Sequence, residues 1–267
     1  MGAPFRRTFA AFPAALLLAA ALGFSLPAGA QEADPFTGEI RGLKLGLKAD
    51  AMPAGLARFA CGKDGGPPTK PLKAWTDFKE CGKDAMGFFE VAFEYDNVGN
   101  HLADLFFEEV GEQLWLDKYT GTKLAGHPVV MSVLFDDAGV VQGFRSVTDS
   151  RARLEQRRIS NMLAVVVRNH YDPLNWVCET LPLERGQQPI GNSYIKQRCE
   201  TVYRNDRRMV VWRNFYRKPG QTGVTMLGDF ADGEWESSTR WEVWALSVPL
   251  PAPAAPVVPT TRTTTTP

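Results

Sequence analysis

Residues 129–171 read VVMSVLFDDAGVVQGFRSVTDSRARLEQRRISNMLAVVVRNHY, and this stretch decides how the chain is organised. Residues 129–135 and 140–147 are β-branched and aromatic runs, and Asp137, Ala138 and Gly139 between them supply the backbone freedom of a tight reversal, so a hairpin is expected. Thr148 or Asp149 can then cap a long helix in which Leu154, Ile159, Met162, Leu163, Val166 and His170 recur at roughly helical spacing. Asp172-Pro173 ends it.

A chain of 267 residues, 44% apolar and 22% charged, can bury a sizeable core. The formal net charge of zero hides an asymmetry. Residues 31–149 hold 12 Lys+Arg against 19 Asp+Glu, a net of −7, whereas residues 150–220 hold 14 against 6, a net of +8. Two lobes follow as the expectation, an acidic one at 31–147 and a basic one at 148–248. The fold class expected is α+β: two lobes of antiparallel sheet with helices packed on one face, joined through the long central helix. The opposite charges can serve lobe-to-lobe attraction or an anion-facing second lobe.

Residues 1–30 have the form of a secretory signal: Arg6 and Arg7, an apolar run at 14–22, and the small-x-small site Ala28-Gly29-Ala30 before Gln31. The apolar run is too short to span a bilayer, so the mature chain is expected to be free of transmembrane segments and periplasmic or secreted. Arg6-Arg7-Thr8-Phe9 also suits twin-arginine export, but disulfides favour the general secretory route. Residues 249–267 are rich in Pro and Thr and predict a disordered tail.

Residues 40–47 alternate as a strand would, and Asp50 can cap a short helix carrying Met52, Leu56 and Phe59. Phe89, Val91, Phe93 and Tyr95 alternate with Glu90 and Glu94, the pattern of a strand wet on one face. Residues 102–116 suit a helix or an acidic loop. Strands are expected at 176–181, 194–203, 207–217 and 239–248. The run Gly42 to Leu47 with Met52, Leu56 and Phe59, followed by strands ending in Phe135-Asp136-Asp137-Ala138-Gly139-Val140, resembles the helix-then-antiparallel-sheet unit of β-lactamase-inhibitor-like and outer-membrane-assembly (OmlA-like) modules. That resemblance covers the first lobe and implies a non-catalytic binding module. The whole is also similar to exported proteobacterial proteins.

Four cysteines, Cys61, Cys81, Cys178 and Cys199, form two close pairs. Three connectivities exist, and pairing Cys61 with Cys81 and Cys178 with Cys199 keeps each bridge within a lobe. Each loop, once closed, gives roughly 3 kcal/mol. Zinc would want Cys-x-x-Cys spacing, so no metal and no cofactor is expected. His101, His127 and His170 are the only histidines, with His170 placed on the apolar face of the helix. No Gly-x-Ser-x-Gly, His-Glu-x-x-His, phosphate loop or dinucleotide fingerprint occurs. Asp96 to Asn100 misses calcium-loop spacing. Trp176, Trp212, Trp241 and Trp244 fall in second-lobe strands, where core packing is the ordinary role and a sugar-stacking platform the other.

If Asn205-Asp206 is a two-residue hairpin turn, Arg204 faces Arg207 and Arg198 faces Arg213. Alternation then gathers Lys196, Arg198, Arg204, Arg207, Arg213 and Arg217 on one face, with Ile195, Cys199, Tyr203, Val210, Trp212 and Tyr216 on the other. Like charges opposite one another need a counter-charge. Lys196, Arg198, Arg207, Arg213 and Arg217 are therefore the candidate ligand-binding residues, and an anionic envelope polymer or an acidic protein the candidate partner. Nothing in the sequence argues for nucleic acid. The function expected is a non-catalytic exported binding protein, and an envelope hydrolase stays open beside it.

Overall fold

A computed structural model describes residues 42–53, 58–94, 121–171, 173–219 and 235–250. The leader, the turn at 97–100, the stretch 102–116 and the tail beyond Leu250 lie outside these residues. Ten strands form one antiparallel sheet: β1 (Arg58–Cys61), β2 (Pro71–Leu72), β3 (Phe89–Glu94), β4 (Lys123–Leu124), β5 (His127–Phe135), β6 (Val141–Thr148), β7 (Val177–Thr180), β8 (Ile195–Tyr203), β9 (Arg207–Arg217) and β10 (Trp235–Ala245). Their spatial order is β2-β1-β3-β5-β6-β10-β9-β8-β7, with β4 paired to β5.

The central hairpin is β5 and β6. Asp136 builds its turn: its Oδ1 accepts the N–H groups of Ala138 and Val140 at 2.9 Å each, and Gly139 takes the positive φ of 75° that the reversal needs. All nine residues of β5 are buried, because it sits between β3 and β6 with both faces covered.

Two expectations fail together. The two lobes are replaced by one continuous sheet, since β6 from the first half pairs along five residues with β10 from the second, from Arg240 opposite Val147 to Trp244 opposite Gly143. The long central helix is replaced by a helical turn at Leu154–Arg157, a 3-10 turn at Ser160–Met162 and a helix of eight residues, Leu163–His170. The break near Ile159 (φ −111°, ψ 19°) resets the helical phase, so the buried positions are Leu163, Ala164 and Val167, while Ile159, Met162 and Val166 are exposed. Polar side chains of β10 hold the segment down. Thr239 Oγ1 donates to the Ser160 carbonyl at 2.7 Å and accepts the Ala164 N–H at 3.1 Å. Ser237 Oγ donates to Asn161 Oδ1 at 3.1 Å.

The first half also departs from the helix-then-sheet unit. Residues 42–47 make no strand and meet the hairpin through Gly46 N–H to Val141 carbonyl. Asp50 lies in a 3-10 turn, Ala49–Ala51, and Phe59 belongs to β1. Leu56 of the expected helix lies outside the described residues, while Phe59 and Cys61 fit the pleat opposite Phe93 and Val91 of β3.

The larger core cluster lies on one face of the sheet, under the Leu163–His170 helix and the 3-10 turn Trp75–Glu80, and a smaller one of Leu134, Trp244 and Val248 lies on the other. One row of paired positions across it runs Phe93, Met131, Ser146, Trp241, Val211, Cys199 and Cys178. Trp75 packs edge-on to Phe59 at 4.7 Å between ring centroids, and Tyr171 stacks on Trp241 at 5.5 Å. Disulfides Cys61–Cys81 and Cys178–Cys199 are both formed, and they indicate an oxidising compartment outside the cytoplasm. Among the described residues no helix is long and apolar enough to cross a membrane.

Candidate functional site

The hairpin of β8 and β9 turns over three residues. Tyr203 is the last residue to pair, with Arg207, and Arg204 and Asn205 both take positive φ, 50° and 55°. A three-residue connection moves the register by one from that of a two-residue turn, and a one-residue slip sends one strand's side chains to the other face. Arg198 therefore lies opposite Trp212, and Arg213 opposite Gln197. The basic face expected from the sequence is split: Lys196 and Arg198 point away from the core face, while Arg207, Arg213 and Arg217 share the core face with Ile195, Cys199 and Tyr203.

On the far face the cations are neutralised by neighbours. Lys196 Nζ is 2.7 Å from Glu184, and Arg198 meets Glu200 at 2.6 Å and Glu179 at 3.6 Å. The guanidiniums of Arg198 and Arg240, on the two strands flanking β9, both lie over the Trp212 ring, at 5.7 and 5.8 Å from its centroid. Trp241 and Trp244 are buried, and Trp176 packs on the core with its indole N–H on the Tyr171 carbonyl.

The largest charge cluster is structural, and it also lies on the far face. Arg145 of β6 donates to Glu242 at 2.9 Å, Glu90 at 2.8 Å and Asp84 at 3.2 Å, and Asp64 is 3.4 Å away. Glu90, expected on a wet face, is 2% exposed, because the loop after Cys61 folds over it and donates the Gly65 and Asp64 N–H groups to its carboxylate. Burial works against the charge on Arg145, but Glu242 and Glu90 outweigh it and hold the guanidinium above its ordinary pKa. Arg240 bonds Asp64 at 2.6 Å and so ties the last strand to the acidic half of the chain.

On the core face a different situation holds. Arg207 is paired with Asp206 at 2.7 Å. Arg213 and Arg217 have no carboxylate partner among the described residues, and neither has Arg168 of the helix. Arg168 reaches over the sheet to donate to Gln197 Oε1 at 3.3 Å, which places it beside Arg213 in the facing pair. Arg213 donates to Met162 Sδ at 3.3 Å. The Nε–H groups of Arg168 and Arg213 are both buried and have no acceptor. Burial, and then the charge of Arg168, push Arg213 below the ordinary arginine pKa. Among the described residues these two guanidiniums lie side by side without a carboxylate between them.

Arg168 was not among the residues singled out from the sequence. Its signal is the absence of any Asp or Glu from Gln156 to Tyr171. His101 lies outside the described residues; His127 is buried at the start of β5, and His170 is exposed against Tyr171 rather than packed in the core. Among the described residues no group of three or more His, Cys, Asp or Glu could hold a metal ion.

The protein class defined here is an antiparallel single-sheet protein braced by two disulfides. Compared with protein-family models, curated proteins and solved structures, the chain matches none of them.

Proposed function

We propose that the protein is a non-catalytic binding protein of the periplasm or the medium, which takes an anionic ligand or acidic partner on the patch formed by Arg168, Arg213 and Arg217. The observation that carries this reading is the pair Arg168 and Arg213, adjacent and without a carboxylate partner among the described residues. An anion that binds there would remove the repulsion between them. Lys196, Arg198 and Arg207 are less suited, since each already has a carboxylate within 2.7 Å.

The test is a titration with polyglutamate at low and moderate salt, for wild type and for the Arg168→Gln/Arg213→Gln variant. The wild type should bind with an affinity that falls as salt rises, and the variant should bind at least tenfold more weakly while melting normally. Equal binding by the two proteins, or binding indifferent to salt, overturns the reading.

A further inference from the structure

We infer that the anion recognised is the headgroup layer of an acidic phospholipid surface, on which the Ile159–Val166 face lies flat; this rests on the anion-binding reading above. Ile159, Met162 and Val166 project outward at 61%, 40% and 36% exposure, although each is a large apolar side chain. Met162 and Val166, four residues apart, fall on one side of the segment, and Ile159 precedes them at the exposed start of the 3-10 turn. They are accompanied by Arg158, Arg168 and Arg213, with Arg213 touching Met162 directly.

The sixteen positions from Gln156 to Tyr171 contain no acid, so the segment itself carries only positive charge toward a lipid headgroup. Arg158 also lies over the ring of Trp235 at 5.9 Å, which puts an aromatic side chain beside the charges, as at a membrane interface. Apolar side chains that project singly between arginines are poorly matched to a rigid acidic protein, which would have to offer a recess for each. A headgroup layer accepts them without such recesses, and the arginines meet its phosphates. The helix is held to β10 through Ser160, Asn161 and Ala164, so the face presented is fixed by the fold.

The test is co-sedimentation of the protein, recovered from the periplasm of an expressing bacterium, with vesicles of phosphatidylcholine alone or mixed with phosphatidylglycerol. Polyglutamate binding is measured in parallel. Binding should require phosphatidylglycerol, weaken with salt, and fall roughly 30-fold in Arg168→Gln/Arg213→Gln. Ile159→Ser/Val166→Ser alters exposed positions that make no contact with Arg168 or Arg213 among those described, and should lower vesicle affinity about tenfold while leaving polyglutamate binding unchanged. Binding to polyglutamate but not to acidic vesicles would overturn the lipid inference and leave the anion site standing. Binding to neither would overturn both, and unaltered vesicle affinity in the serine variant would rule out contact through this face.

Discussion

Arg145 and Glu242 stand directly opposite each other on β6 and β10, with Nε 2.9 Å from Oε1, and their side chains are 3% and 6% exposed. This pair joins the two halves of the chain at the seam between β6 and β10. It also leaves Arg145 serving Glu90 and Asp84, both buried, at the same time. Removing the guanidinium would strand buried carboxylates. Arg145→Met should therefore lower unfolding free energy by about 3–5 kcal/mol, measured by urea denaturation. A loss under 1 kcal/mol would show that the carboxylates find other partners.

Much of the strand pattern was legible in the sequence, and its failures have separate physical causes. Asp137, Ala138 and Gly139 announced the β5–β6 turn because glycine alone takes the φ of 75° found at Gly139 without strain. The cysteine pairing was legible because one connectivity kept both loops short. The β8–β9 register was not, because Arg204 adopts a φ of 50° that its residue type does not advertise, and the extra turn residue split the arginines between two faces. Glu90 misled for another reason. Alternation reads a charged position as solvent-facing, but here Arg145, 55 residues away in sequence, meets it under a covering loop. The helix was overextended because the Val-rich run and the arginines before it share a period that the turn at Ile159 interrupts.

The Cys178–Cys199 bridge makes a local prediction. Among the described residues β7 is an edge strand of four exposed residues that pairs with β8 alone, so the disulfide supplies much of what holds it. Replacing both cysteines by serine should speed amide hydrogen exchange in residues 177–180, while the β9 and β10 amides keep their protection. Uniform loss of protection across the sheet would show that the bridge supports global stability instead.

Gly143 of β6 faces the ring of Trp244, and a Cβ built there would lie 2.7 Å from Trp244 Cε3. Trp244 is fully buried against Leu134 and Val248, and its indole N–H donates to Glu242 Oε2 at 3.0 Å, so it has little room to retreat. Gly143→Ala should cost about 1–3 kcal/mol in a thermal or urea melt. The Gly87→Ala control, where nothing lies within 4 Å of the added carbon, should lack this packing cost and show only the strain of its φ of 87°.

His127 carries the clearest pH dependence. It is 8% exposed at the start of β5, and burial lowers its pKa below the ordinary value of 6.5. Between the depressed folded pKa and the unfolded value, the unfolded chain binds the proton more readily than the folded one, so stability rises with pH across that window. Lowering the pH from 7 should accordingly begin to weaken the fold near the unfolded pKa, and the loss should continue down to the folded pKa and then level off. His127→Gln removes the titrating group and should flatten this part of the profile, even if it lowers stability at pH 7. Urea melts of both proteins at half-unit steps from pH 7.5 to 5 measure the slope. An identical slope in the variant would assign the pH dependence to other groups and remove His127 from the account.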